Sequence, residues 1–420
     1  MRRGTLSFLI FLATFAVAHA ARFEVAPYLQ DARPGGITVL FETDVATEAT
    51  VVVTMPSGEQ RFSSPTGTHH EVRIEGLSAG RHPYRVVAGN ATSAPSELAP
   101  AATGGDFTFL VYGDNRDRDA DHARVIEAMR REPADLLVQT GDMTGDGGDE
   151  ALWRRFFAIE APLLATTPMF PALGNHELLH DPGATHYHRY FALPSSDVAA
   201  EDAERYYAFH YGNALFIALD GNDSHQRSQA EWLARTLDGA ARDPAVRHVF
   251  VFFHQPSFSV GEFCGSAAEQ GLWVPLFERA RVRAVFTGHE HAYERLERNG
   301  VRYFVAGGGG APLRPMRGGC PLYDQEALKV FRSTFHFLRV RVRGDEATLD
   351  AIGVDGEVFD SARLHEPSTA GSATAVPYRD RPIGSPMRGE SLPLPAWLMV
   401  AMAGLGVGLA TLVAAAVRRR

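Results

Sequence analysis

Donor side chains gather in five short segments of this 420-residue chain. In order they are Gly113-Asp114-Asn115-Arg116, Gly141-Asp142, Gly174-Asn175-His176-Glu177, His254 and Gly288-His289-Glu290-His291. Carboxylates and an amide supply hard oxygen, and neutral imidazoles supply nitrogen. Such a set suits Mn, Fe or Zn better than Ca or Mg. A carboxylate also has two oxygens and can serve two cations at once. Two ions roughly 3.5–4 Å apart can hold a phosphate, activate a water and stabilise an in-line displacement. Singly, a Gly-Asp or Gly-Asn is a turn signal, and a lone His-x-His is a weak metal signal. What counts is that all five occur, each in the same setting.

That setting is the end of a strand. Residues 107–111, 135–139, 168–173, 248–253 and 282–287 are short apolar runs that read as buried strands, and each leads directly into one of the donor segments. Open α/β sheets place ligands beyond the carboxyl ends of their strands, so five such ends describe one polar crevice. Within a strand, His289 and His291 would share a face. In the loop just past the strand they can converge on one small volume.

The order Asp…Gly-Asp…Gly-Asn-His-Glu…His…Gly-His-x-His resembles the calcineurin-like metallophosphoesterase superfamily, from about Phe107 to Gly310. The region before it looks like the N-terminal domain of purple acid phosphatases. The resemblance implies an α/β fold, a four-layer α/β/β/α sandwich preceded by a small all-β, fibronectin III-like sandwich. It also implies two divalent or mixed-valence transition metal ions (Fe, Mn or Zn). Asp142 would bridge them, Asp114 and His291 would complete the first site, and Asn175, His254 and His289 the second. His176 would stand near the leaving group, to donate a proton or stabilise the transition state. Glu177 either orients His176 or is an exposed glutamate.

The chain departs from that pattern twice. Arg116 stands where many relatives have a metal-binding His, and Gly145 stands where purple acid phosphatases have a Tyr. The first site is therefore one protein ligand short. Water fills the gap, or Asn115 or His122 reaches in. No tyrosinate-to-iron colour is expected. Arg116 either grips substrate phosphate with its guanidinium fork or makes an ion pair.

Other candidates are weaker. His180, His186, His188 and Tyr293 line the pocket or simply pack, and His69-His70 reads as a solvated loop pair. Gly307–Gly310 lacks the Lys-Ser/Thr of a phosphate-binding loop and reads as backbone passing close beneath the metals. Cys264 and Cys320 are the only cysteines, and an even pair in an exported protein suggests one disulfide.

The chain is 45% hydrophobic and 22% charged, which is ordinary for a globular protein. Residues 1–20, with Arg2-Arg3, an apolar stretch and Ala18-His19-Ala20, read as a signal peptide. Residues 21–103 alternate short strand-like runs with Gly, Pro, Asn and Ser, as in a β-sandwich, and 93–103 reads as a linker. The phosphoesterase-like domain occupies 104–365, followed by a Pro- and Ser-rich stalk at 366–395. Residues 396–417 are apolar and uncharged, suited to a transmembrane helix, with Arg418–Arg420 as a cytoplasmic tail. Localisation is thus expected to be extracytoplasmic, tethered by the C-terminus. The formal charge of −9 becomes −14 once the five terminal arginines at 2, 3 and 418–420 are set aside. Such an acidic body lacks the basic footprint of a nucleic-acid binder. The expected function is hydrolysis of small phosphate esters, most simply phosphomonoesters. The alternatives are a phosphodiesterase or nucleotidase, or a surface binding module with a degenerate site.

Overall fold

A computed structural model of the chain describes residues 20–194, 198–223 and 226–364. The expected signal peptide up to residue 19, the stalk, the transmembrane helix and the basic tail lie outside the described residues. Among those described, no helix is long and apolar enough to cross a membrane.

The chain begins with six strands: β1 (Phe23–Arg33), β2 (Gly36–Met55), β3 (Gly58–Glu75), β4 (His82–Ala88), β5 (Ala91–Thr92) and β6 (Ser96–Leu98). Hydrogen bonds join them into one antiparallel sheet. The runs at 36–41 and 49–54 that read as separate strands are two halves of β2. Its first half pairs with β1 (Val39 opposite Leu29) and its second with β4 (Val51 opposite Val86), with register shifts between Glu42 and Ala49. A shift of this kind bends a strand, so one long strand serves two neighbours. β6 lies inside the segment expected as a linker and pairs with β4. His69 and His70 are structural. His69 faces Glu42 at 3.3 Å, and His70 is buried, bonded to Ser64 and stacked on Phe41.

Beyond residue 105 strands and helices alternate. β7 (Asp106–Tyr112), α1 (Asp119–Met129), β8 (Leu136–Gln139), α2 (Glu150–Leu164) and β9 (Met169–Pro171) come first. α2 starts where the Asp149 side chain caps the Ala151 amide. After α3 (Thr185–Tyr190) come β10 (Tyr207–Tyr211), β11 (Ala214–Ala218), α4 (Arg227–Arg242) and β12 (His248–Phe252). Next are α5 (Ala267–Leu272), α6 (Val274–Ala280), β13 (Ala284–Thr287), β14 (Tyr293–Arg298), β15 (Val301–Ala306), α7 (Leu322–Ala327) and β16 (Leu328–Arg332). Three antiparallel strands close the domain: β17 (His336–Arg343), β18 (Glu346–Gly353) and β19 (Val358–Arg363).

These form two mixed sheets, ordered β10-β11-β12-β13-β15-β14-β16 and β19-β18-β17-β7-β8-β9. The sheets meet through aromatic rings. Phe109 of β7 packs edge-on against Phe216 of β11, Phe250 of β12 and Phe286 of β13, with centroids 5.0, 5.1 and 5.9 Å away. Pairs of this geometry add to the area they bury. The strands that matter for chemistry are parallel: β7 to β8 to β9 in one sheet, and β11 to β12 to β13 to β15 in the other.

Candidate metal centre

The loops leaving β7, β8, β9, β12 and β13 deliver the predicted donors to one place. Their backbones turn sharply: Asp114, Asp142 and His289 have φ of 56°, 59° and 68°. Non-glycine residues rarely adopt this region, and such strain concentrates at functional sites. The preceding glycine is required by space at His289. A Cβ on Gly288 would stand 2.3 Å from Asp114 Oδ2. Gly307 is equally constrained, 2.1 Å from the Glu290 carbonyl and 2.9 Å from Asp114 Oδ2, as expected of backbone passing beneath the site.

Four donor atoms form a compact cluster. His254 Nε2 lies 3.2 Å from Asp142 Oδ1, 3.1 Å from Asn175 Oδ1 and 3.3 Å from His289 Nδ1. His289 Nδ1 is also 3.2 Å from Asn175 Oδ1. His254 Nδ1 donates to the Thr140 carbonyl at 2.8 Å, which leaves the Nε2 lone pair facing the cluster. Imidazole nitrogens, an amide oxygen and a carboxylate oxygen thus converge on one small volume, an arrangement that a bound cation satisfies. The demand shows in His254. Burial opposes its charge, yet Asp142 and Asp114 outweigh burial and raise its pKa to about 9. Ligand atoms about 2.0–2.2 Å from one ion stand about 3–3.5 Å from each other, so the observed spacing fits a transition metal.

On the other side of Asp142 the picture differs. His291 Nδ1 donates to the Pro312 carbonyl at 2.8 Å, so its Nε2 is turned inward, 3.6 Å from Asp114 Oδ1. Burial, then Arg314 and Arg116, lowers the His291 pKa to about 3 and keeps that ring neutral. Both Asp114 oxygens accept the His289 amide. Burial raises the Asp114 carboxyl to about 7, with Asp142 adding to the rise. Asp114, Asp142 and His254 lie close enough together to share an ion. Arg116, however, extends into this space. Its Nε donates to Asp142 Oδ2 at 3.0 Å, its Nη1 to Asp117 at 2.5 Å, and its Nη2 lies 3.5 Å from His291 Nε2. The guanidinium fork is therefore turned into the site and engaged with the chain's own groups, the ion-pair alternative for this residue. A second ion does not fit these residues as they stand.

Neither conceivable extra ligand reaches the gap. Asn115 is held by Gln139 and by the Met143 carbonyl. His122 is buried between Tyr112 and Phe156, with its Nε2 on Glu160. Gly145 supplies a carbonyl that fixes His176 Nδ1 at 2.8 Å, and His176 Nε2 points toward Asp142 Oδ2 at 3.8 Å. Glu177 is neither exposed nor bonded to the His176 ring. It is fully buried and accepts amides from Gly174, Asp142, Met143 and Thr144, pinning two of the donor loops together.

Several contributors escaped the sequence reading. Gln139, at the end of β8, bonds both polar groups of Gly141 and locks the turn before Asp142. Glu290, between the two histidines, accepts the amides of Glu262 and Phe263. Phe263 packs against His289 with the rings tilted by 38° and their centroids 4.7 Å apart, and the Arg314 guanidinium lies 4.9 Å over the Phe263 ring. The sequence signal for Glu290 and Gln139 was their position next to donor residues, and none marked Phe263 or Arg314. Cys264 and Cys320 are bonded, with Cα atoms 5.5 Å apart, and hold this rim. His180 is exposed on Asp146, His188 faces Glu204, and Tyr293 opens β14 with its hydroxyl on Asp360. None of these three bonds any of the clustered donors.

Residues 107–293 match the calcineurin-like phosphoesterase family. An uncharacterised protein of Mycobacterium tuberculosis H37Rv is 33% identical over 162 residues, covering 34% of this chain and 30% of that one. Purple acid phosphatase 22 of Arabidopsis thaliana is 25% identical over 247 residues, covering 56% of each. Among solved structures, the purple acid phosphatase PPD1 of yellow lupin superposes with a TM-score of 0.68 over 81% of this chain and 74% of its own, at 17% identity. That likeness establishes the fold. The matched segments span about a third to a half of these curated relatives' lengths.

Proposed function

We propose that this protein is an exported, membrane-tethered, metal-dependent phosphoesterase that hydrolyses phosphate esters, phosphomonoesters first among them. The observation that carries the reading is the convergence of His254 Nε2, His289 Nδ1, Asn175 Oδ1 and Asp142 Oδ1. A divalent ion held there polarises a phosphoryl oxygen and lowers the pKa of water. The chain's residues do the rest. Asp142 is held well below the usual carboxylate range. Burial pushes it up, but His254, His176 and Arg116 outweigh burial. It therefore stays ionised as a ligand through acidic pH. Arg116 and Asp117 fix the outer oxygen of Asp142 so that its inner oxygen faces the cluster. His176 is anchored by Nδ1 on Gly145, with Nε2 toward the centre. When doubly protonated, its Nε2 donates to the departing alkoxide or phenoxide. The name of the plant relative supports a phosphomonoester substrate.

Export and tethering rest on the terminal segments and the disulfide, a bond favoured in oxidising compartments. Extraction of membranes tests them: release requires detergent, and release by salt or carbonate overturns the tether. The central test is phosphate release from an aryl phosphate, with elemental analysis of the same preparation. Asp142→Asn is expected to lose both bound metal and turnover. Full turnover in that variant overturns the reading, and a metal-free, inactive wild type favours the binding-module alternative. An aryl phosphodiester run beside it separates monoesterase from diesterase.

A further inference from the structure

We infer that the centre is built for a single transition metal ion, with the Arg116 guanidinium fixed where a second ion beside Asp142 would have to stand. The inference rests on the metal-dependent reading above and concerns the architecture of that same site.

Asp142 has one oxygen for each side. Oδ1 faces His254, in the cluster with Asn175 and His289. Oδ2 receives the Arg116 Nε at 3.0 Å. Any ion sharing Asp142 with the first would need Oδ2, Asp114 and the inward nitrogen of His291. The guanidinium already spans that space, from Asp142 Oδ2 to within 3.5 Å of His291 Nε2. Two carboxylates clamp it, since Asp117 takes Nη1 while Asp142 takes Nε. The side chain is only 10% exposed, so it cannot swing into solvent without breaking both pairs. Guanidinium has no lone pair to offer a metal and does not deprotonate in proteins. It can share the site with one ion but cannot ligate a second.

Among the described residues, the other conceivable ligands do not reach the second position. Asn115 and His122 are committed elsewhere, and position 145 is a glycine.

The test uses the full-length protein, stripped and reloaded with excess Mn(II), and reads stoichiometry and the electron paramagnetic resonance spectrum. One Mn per chain with the six-line signal of an isolated ion, in a preparation that releases phosphate, is expected. Two Mn per chain with an exchange-coupled multiline signal overturns the inference and leaves the phosphoesterase reading intact. No bound Mn and no turnover overturns that reading, and this inference with it. Arg116→Ala frees Asp142 Oδ2 and His291, so a second equivalent and a coupled signal are expected. A folded Arg116→Ala protein that still binds one Mn shows that something other than the guanidinium excludes the second ion, and overturns its assigned role. The wild-type spectrum decides the stoichiometry even if that variant does not fold.

Discussion

Glu177→Gln tests whether a buried carboxylate holds two donor loops in place. Oε2 accepts the amides of Asp142 at 2.9 Å and Gly174 at 2.8 Å, and Oε1 those of Met143 at 2.8 Å and Thr144 at 3.2 Å. A glutamine keeps one oxygen and sets an NH2 group against the other pair, so two buried amides lose their acceptor. Each orphaned group costs about 1–3 kcal/mol, roughly 2–6 kcal/mol together. Some of this is offset, because burial and then Asp142 hold the Glu177 carboxyl above its ordinary pKa, and the neutral amide relieves that repulsion. At about 2–4 °C per kcal/mol for a domain of this size, Tm should fall by roughly 5–15 °C. The loops that move carry Asp142 and Asn175, so metal affinity should fall about 10–100-fold, as for groups that position ligands. Calorimetry and metal titration on the same sample provide the assay. Unchanged Tm and affinity would refute the assignment. A lower Tm with full affinity would make Glu177 a fold residue only.

Three further outcomes are expected. Cys264→Ser with Cys320→Ser opens a loop of sequence separation 56, which in the chain-entropy account costs up to about 4 kcal/mol. It also loosens Phe263 from His289, so KM should rise along with the drop in Tm; an unchanged Tm on reduction of the wild type would count against it. Glu294, whose carboxylate oxygens accept Ser259 and Val260 on the rim loop, is raised by burial to about 8 from an ordinary 4.5. A raised folded pKa gives stability present below about 4.5 and lost as pH climbs through 8, so Tm should decline over that window and the slope should shrink in Glu294→Gln; equal slopes would refute it. Chelation should lower Tm, since an ion present at a hundred times its Kd contributes about 2.7 kcal/mol; a Tm indifferent to chelator would mean no ion is held.

The site was more legible than its support. Gly-Asp, Gly-Asn-His and Gly-His-x-His after apolar runs give local turn chemistry that any strand end displays, so Asp114, Asp142, Asn175, His254, His289 and His291 could be found by position alone. Arg116 stood out only as a departure. Its direction depends on Asp117 and on His291, 175 residues away in sequence, which no local pattern encodes. Glu177 was ambiguous for the same reason, because its four partners belong to loops after β8 and β9. In the N-terminal region the alternation of apolar residues predicted strands correctly. It divided β2 in two, because the register shift between Glu42 and Ala49 interrupts the period without ending the strand.

The position of the centre between two sheets explains why the chain keeps so many buried charges there. Asp114, Asp142 and Asn175 leave one sheet, and His254, His289 and His291 leave the other. Hydrogen bonds join the two: the Gly113 amide donates to the Ala306 carbonyl and, through a ring nitrogen, His254 donates to the Thr140 carbonyl. Buried carboxylates at such a seam destabilise the fold unless cations meet them. Arg116 meets the outer side of Asp142 permanently, so the fold does not depend on metal for that half. The inner side, where His254, His289 and Asn175 converge on Asp142 Oδ1, is the side left open to an exchangeable ion. The arrangement therefore divides the work. A fixed guanidinium secures the architecture, and the exchangeable ion is confined to the side where His254, His289 and Asn175 can hold it against a substrate's phosphoryl oxygen.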